Sequence, residues 1–393
     1  MIKKLYYIST RDVRKNRADA VPIMLSCQAF ANNNIIVELI TPSTIRDEYI
    51  VDKNSIFDLY GIKTPNFSLT ELNTHISEIE GKETKSYKVV IEKLKAFWSF
   101  GFSKRKSFRS EDTILYSKCY ISTLPFIVLK KLGLINSLIV FETITPKDSL
   151  LHKIIFRNSD KIISHLKFVT NDVLKFSKTD KSKIFEPPYF TQYKELEQIK
   201  PKKKELRLEL GLAENDTFVL YAGKTGENIK QVQYFVDAAA KIKHLMFVIV
   251  GANNKAIEAL EKIKIKRSIN NLLIFPFLPL TEYYKFVLAS DILIGYYPAT
   301  YHNKYHLSPS KSGIYLASRN PCIFSDLPSL RWLFPDEVVF YAKPDNVNSL
   351  TSRILEVAGN KEIANKKADL AFKFASESTI NNFAERILQF IES

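Results

Sequence analysis

The stretch FVLYAGKTGENIKQVQYFVDAAAKIKHLMFVIV, Phe218 to Val250, decides the fold. Phe218 to Ala222 is a short apolar run without polar alternation, the pattern of a parallel strand buried on both faces. Glycines and lysines interrupt it, an apolar pattern at helical spacing runs from Val232 to Ile242, and Met246 to Val250 repeats the first run. Strand, loop, helix and strand make a βαβ unit, which implies a parallel sheet covered by helices.

The same alternation extends in both directions. Downstream come a helix over Lys255 to Ile263, a strand over Leu272 to Phe275, a helix over Glu282 to Ala289 and a strand over Ile292 to Ile294. Upstream, Lys4 to Ser9 reads as a strand and Thr10 to Asp19 as a polar loop. Ile23, Met24, Cys27, Phe30 and Ala31 then lie at helical spacing, and Ile35 to Ile40 is a β-branched strand. Thr113 to Tyr116, Leu138 to Phe141, Lys161 to Ser164 and Ile184 supply further strands, with a helix over Leu124 to Leu132. The polar, lysine-rich segment Lys194 to Leu210 divides the pattern, so the chain is read as α/β with two Rossmann-like parallel-sheet domains, 1–188 and 189–374. An amphipathic segment, 375–393, carries Phe383, Ile387, Phe390 and Ile391 at helical spacing. A length of 393 residues exceeds what one core sustains, which agrees with two halves.

The bulk composition narrows the class. Hydrophobic residues make up 46% and charged residues 25%, the balance of a globular chain, with no repeat or low-complexity segment. Cys27, Cys119 and Cys322 lie far apart with no CxxC or Cys/His spacing, which fits a reducing compartment and offers no metal site. No apolar run is long enough to cross a bilayer and the N-terminal strand is too short for a signal peptide, so a cytoplasmic location is expected. The excess of 57 Lys+Arg over 42 Asp+Glu, net +15, favours anionic partners but equally fits a Lys-, Ile- and Asn-rich genome composition. No nucleic-acid recognition motif accompanies the charge, so nucleic acid is not an expected partner.

Ligands of parallel sheets bind at the carboxyl ends of strands. At the end of the Phe218 to Ala222 strand, Gly223 lets the backbone approach a ligand closely, and Lys224 and Lys230 can reach a diphosphate from the loop and the adjoining helix. A second cluster, Ser308-Pro309-Ser310-Lys311-Ser312-Gly313, opens a helix whose first-turn amides suit a phosphate. Ser308 followed by Pro309 also reads as an ordinary helix cap, and the two readings are compatible.

The chain resembles the GT-B retaining glycosyltransferases of family 4, the glycosyl transferases group 1. The resemblance rests on Tyr221 to Lys224 with Lys230, on Phe275 to Leu280 with Thr281-Glu282, on Ala289 to Ile294, and on Ser308 through Arg331. In the first half it rests on Asn16 to Ala20, Cys27 to Ala31 and Phe141-Glu142. It implies two domains facing a central cleft, the last helix crossing back to the first domain, and a nucleotide-sugar as donor substrate with no further cofactor and no metal. Lys224 and Lys230 would hold the donor diphosphate and act in catalysis. Gly223, Gly251, Ser310 and Lys311 would line the donor site, the base lying near Gly251 and Phe275 to Leu278. Arg17 and Glu142 would stand on the acceptor side, each with a plain surface or salt-bridge role as the alternative.

The chain also departs from that family. Where members carry two glutamates, one for the donor sugar and one for the ribose, this sequence has His306 and Ile314. His306 can still bond a sugar hydroxyl, but isoleucine cannot, and ribose hydroxyls buried without partners would cost roughly 1–3 kcal/mol each. The family's histidine after the Phe141-Glu142 strand is absent, Thr143 following instead. The resemblance therefore implies a retaining hexosyltransferase acting on a saccharide or lipid-linked glycan in bacterial surface polysaccharide synthesis. The alternative is a catalytically weakened GT-B partner of an active transferase.

Residues 82–109 interleave basic side chains, among them Lys88, Lys95, Lys104, Arg105 and Arg109, with Ile91, Leu94, Phe97, Trp98, Phe100 and Phe102. Such a helix can lie on the anionic inner face of a cell membrane, a peripheral association. It can equally pack on a core with its basic face in solvent.

Overall fold

The computed structural model describes residues 2–14, 20–43, 53–74, 86–191, 193–197, 199, 202–225 and 232–393. The chain forms two compact units, Met1–Pro188 with Ile380–Ser393, and Tyr189–Thr379.

The first unit holds a parallel sheet of β1 (Lys4–Ile8), β2 (Ile36–Ser43), β3 (Ser68–Asn73), β4 (Thr113–Ser117), β5 (Leu138–Thr143), β6 (Lys161–Ser164) and β7 (Ile184–Phe185). Their order is β3-β2-β1-β4-β5-β6-β7. Alternation along the strands sends Tyr6, Leu115, Ile139 and Phe141 to one face, where they share a core with Phe97, Phe108, Phe126 and Phe156. The opposite face carries Tyr7 and Tyr116, whose rings lie 5.1 Å apart, with Phe30 of helix Val21–Ala31 5.3 Å from Tyr116. The final helix, Ile380–Glu392, buries Phe383, Ile387, Leu388 and Ile391 and packs on helix Val21–Ala31.

The basic helix spans Ser86–Ser103 and packs on the core through one face. Phe97 and Phe100 are buried, and a side chain at Gly101 would come within 2.9 Å of Leu129 on helix Tyr120–Lys131, so the two helices are in close contact. Trp98 and Phe102 nevertheless remain 41% and 47% exposed. Lys82 and Lys85 lie outside the described residues.

The second unit repeats the plan with β8 (Phe218–Thr225), β9 (Met246–Ala252), β10 (Leu272–Pro276), β11 (Ile292–Gly295), β12 (Cys322–Ser325) and β13 (Phe340–Ala342). Every pairing is parallel and the order is β10-β9-β8-β11-β12-β13. Its core packs Val219, Tyr221 and Phe247 from the sheet against Phe235 and Val236 of helix Gln233–Lys241.

Two segments differ from the sequence reading. The apolar pattern expected from Ala375 onward is split between helix Lys361–Glu377 and helix Ile380–Glu392. The break is fixed from far along the chain. The Thr191 amide donates to the Ser378 carbonyl at 2.7 Å, and its hydroxyl donates to the Ala375 carbonyl at 2.8 Å. These bonds satisfy carbonyls that a helix end leaves open.

The polar segment Lys194 to Leu210 is likewise not a bare divider. It forms helices Tyr193–Glu197 and Lys203–Glu209, the latter burying Leu206 and Arg207. Asp291, just before β11, takes Arg207 at 2.5 Å, Lys203 at 3.2 Å and the Phe218 amide at 2.8 Å. One carboxylate thus ties the connecting helix to the amino ends of β8 and β11.

Candidate functional site

The ladder between β8 and β11 is short. Only Val219 and Leu220 pair with Ile292 and Leu293. Beyond Leu220, β8 continues along β9 as far as Thr225, while β11 continues along β12 to Gly295. The two central strands part at the point where strand order reverses, and the carboxyl ends of strands at such a reversal form the binding crevice of an open parallel sheet.

Tyr315 fills the base of this fork. Its hydroxyl accepts from the Ala222 amide at 2.9 Å and donates to the Ala222 carbonyl at 3.1 Å, replacing the partner that β11 does not offer Ala222. Two glycines then shape the rim. Gly251 has φ +105, a conformation suited to glycine, and a Cβ there would sit 2.6 Å from the Gly223 carbonyl oxygen. The register between β8 and β9 shifts over this same stretch.

Lys311 lies against the other side of Gly223, where an added Cβ would stand 3.2 Å from Nζ. The ammonium group is 3.8 Å from the centre of the Tyr221 ring, 5.0 Å from that of Tyr297 and 6.0 Å from that of Tyr315. Desolvation in this cage pushes the Lys311 pKa down to about 7. Burial pushes the Tyr221 hydroxyl up to about 12, and raises Tyr283 and Tyr297 as well. The cage therefore presents neutral hydroxyls and ring faces at neutral pH.

Helix Ser310–Ala317 starts at an N-cap of Pro309, with no side-chain cap, so Ser308 does not have the capping role that its sequence suggested. Tyr189 takes it instead. Its hydroxyl accepts from the Gly313 amide at 3.0 Å and donates to the Pro309 carbonyl. The Ser312 amide bonds the Pro309 carbonyl at 3.0 Å. The amides of Ser310 and Lys311 have no acceptor among the described residues, which leaves two donors beside the Lys311 side chain.

Of the residues singled out from sequence, the fold thus assembles Gly223, Gly251, Ser310 and Lys311 at one strand fork, with Lys224 exposed next to Gly223 on β8. Lys230 and Arg17 lie outside the described residues. His306 follows helix Tyr301–Tyr305, 5% exposed, with its ring edge-on to Tyr301 at 5.6 Å. Ile314 is likewise 5% exposed, one turn into its helix. Tyr297 and Tyr315 were not singled out, although Lys311 and Tyr315 stand four apart and so share a helix face, and Tyr297 lies two residues past β11.

In the first unit, Glu142 ends up 1% exposed near the end of β5. Its carboxylate accepts from Tyr116 at 2.5 Å, pairs with Lys118 at 2.7 Å and meets Nε2 of His165. Burial alone would raise its pKa, but Lys118 and His165 together hold it down to about 2. With its oxygens so engaged, Glu142 acts on its surroundings by placing Lys118 and His165. His165 is in turn stacked on Phe383 of the final helix, 5.9 Å between centroids. The approach of His165, just past β6, could not be read from local spacing.

No protein-family model matches the chain, and no curated protein matches it. Solved structures do. Sucrose-phosphate synthase from Thermosynechococcus elongatus superposes with a TM-score of 0.76 at 14% identity, over 99% of this chain and 98% of that one. Anabaena Alr3699/HepE, in complex with UDP and glucose, gives 0.70 at 11% identity over 99% of both chains. The lipopolysaccharide outer core galactosyltransferase WaaB, in its apo form, gives 0.65 at 12% identity over 99% of both. Likeness of this kind, nearly end to end at low identity, establishes the architecture: this chain has the GT-B fold of two Rossmann-like parallel-sheet domains.

Proposed function

We propose that the protein is a glycosyltransferase that takes a nucleotide-sugar donor at the β8/β11 fork. The observation that supports this best is the convergence on one strand fork of two open helix amides and the Lys311 side chain, which Gly223 and Gly251 allow to pack closely against the strand ends. Such a set suits a diphosphate, and UDP is present in the HepE complex with the same fold. Lys224 and Lys230 are assigned to neutralise the charge that grows on the departing diphosphate. In the retaining reaction the bond from the anomeric carbon to the phosphate oxygen breaks as the acceptor oxygen bonds that carbon from the same face. The acceptor proton passes to the departing phosphate.

The acceptor is proposed to be a saccharide or lipid-linked glycan of a bacterial surface polysaccharide. The exposed Trp98 and Phe102, on a helix bearing Lys88 and Lys95, suit an anionic membrane surface that would deliver a lipid-linked acceptor. No helix among the described residues is long and apolar enough to cross a membrane.

A screen of nucleoside diphosphates and their sugar conjugates by thermal shift tests the donor assignment, since a ligand of the folded state alone raises the melting temperature. Release of nucleoside diphosphate from the stabilising conjugate, with a glycan acceptor present, tests the reaction. Ile314, buried where the resembling family carries a ribose-binding glutamate, favours one alternative: a partner protein that retains the fold without turnover. Absence of release from every conjugate, whatever the acceptor, selects that alternative, and absence of binding by every nucleotide removes the donor assignment.

A further inference from the structure

Lys311 is placed as few lysines are. Its ammonium group lies over the Tyr221 ring and against Gly223, in the crevice where the two central strands part. Among the described residues the groups placed around it are aromatic: Tyr221 from β8, Tyr297 after β11 and Tyr315 from its own helix, with Tyr189 and, from helix Leu280–Ala289, Tyr283 close to Tyr297. The Tyr189 and Tyr315 hydroxyls are already committed to backbone groups. Among the described residues no carboxylate pairs with Lys311, and Lys224, the nearest cation along β8, is exposed to solvent.

Lys311 is half-buried, so water meets part of its charge and two groups in the crevice can meet the rest. Ring faces compensate an ammonium in part. An anion in the crevice compensates it further, because charge-assisted hydrogen bonds are the stronger ones. We propose that Lys311 is a proton-linked ligand of the donor diphosphate, stowed in the tyrosine cage while the crevice is empty and bonded as an ammonium to phosphate when it is filled. This rests on the donor assignment above and adds a property that the assignment does not require, namely that binding draws a proton from solvent.

Burial has pushed the Lys311 pKa down to about 7, and a neighbouring phosphate raises it. The bound state therefore holds more protons than the free state above that value, so affinity falls as pH rises. The fall is about tenfold per pH unit above the free-state pKa, until the bound-state pKa is passed. At pH 8, above the free-state value, binding therefore takes up a proton.

The experiment is isothermal titration of the full chain with UDP, GDP, ADP and inorganic pyrophosphate at pH 8, in buffers of different ionisation enthalpy, to count protons. The variants Lys311→Met and Lys311→Arg are titrated alongside, with their melting temperatures recorded to establish folding. Methionine keeps the straight chain without charge, and arginine keeps a charge that does not titrate. The expected result is uptake near one proton for wild type and none for either variant, the arginine variant binding tighter than the methionine one. Because each comparison uses the same ligand, the phosphates' own protons cancel. Equal proton counts in wild type and Lys311→Met overturn the inference and leave the donor assignment standing. Failure of all four anions to bind wild type overturns the donor assignment and the inference together. If neither variant folds, the wild-type affinity for the ligand that binds, measured from pH 7.5 to 9, decides: a flat profile overturns the inference and a steady fall supports it.

Discussion

The hydroxyl of Tyr315 holds both main-chain groups of Ala222, at 2.9 Å from its nitrogen and 3.1 Å from its oxygen. A phenol on a helix thereby takes the place of a strand, and it allows β8 and β11 to separate at their carboxyl ends without leaving a peptide unpaired. The crevice exists because that peptide has another partner.

Removing that hydroxyl alone should be felt in stability. Tyr315→Phe leaves the buried Ala222 amide and carbonyl without partners and should cost about 1–3 kcal/mol. Chemical denaturation with an unchanged slope and a lower midpoint is the expected record; an unchanged midpoint would mean that water or β11 closes the gap.

Gly251 has no room to grow. Gly251→Ala places a Cβ 2.6 Å from the Gly223 carbonyl oxygen at φ +105, so the strand end must shift. Backbone strain of about 1–3 kcal/mol and weakened nucleotide binding should appear together. A variant with wild-type melting temperature and affinity would show that the β8/β9 rim moves freely.

Lys224 is exposed and contributes little to packing, so its loss should separate function from stability. Lys224→Ala should keep the wild-type melting temperature and lose about 1.5–3 kcal/mol of interaction with a bound diphosphate, or roughly 10- to 150-fold in affinity. Titration of nucleoside diphosphate into both proteins measures it. Equal affinities would remove Lys224 from the donor site.

Glu142 predicts an acid limit. Its pKa of about 2 in the folded protein lies below the ordinary value of 4.5, so its pairing stabilises the fold fully above pH 4.5. That contribution is lost as pH falls from 4.5 towards 2. Glu142→Gln should flatten the stability profile over that interval and cost about 3 kcal/mol at pH 7, since Lys118 and His165 lose their shared carboxylate. A profile unchanged by the substitution would contradict the assignment.

Asp291 is the corresponding anchor in the second unit. Asp291→Asn should destabilise by about 2 kcal/mol, less than a fully buried pair, because Lys203 and Asp291 are partly exposed. Increased proteolytic cleavage near Lys203 relative to wild type is the expected signature.

The sequence by itself determined the two rounds of strand and helix, because a strand buried on both faces must be a continuous apolar run and Phe218 to Ala222 or Met246 to Val250 have no other stable use. It marked Gly223 and Lys311 too, since glycine beside a strand end and a lysine in a first helical turn are local signals. β3, β12 and β13 passed unseen, being short runs without a clear period. What only the tertiary structure decided is the company these residues keep. Tyr189 reaches Gly313 across more than a hundred residues, His165 and Lys118 come to Glu142 from just past two different strands, and Lys311 lies among rings from β8, from the segment after β11 and from its own helix. Periodicity reports which face of an element is apolar, whereas desolvation and hydrogen bonding depend on which elements the sheet order sets side by side.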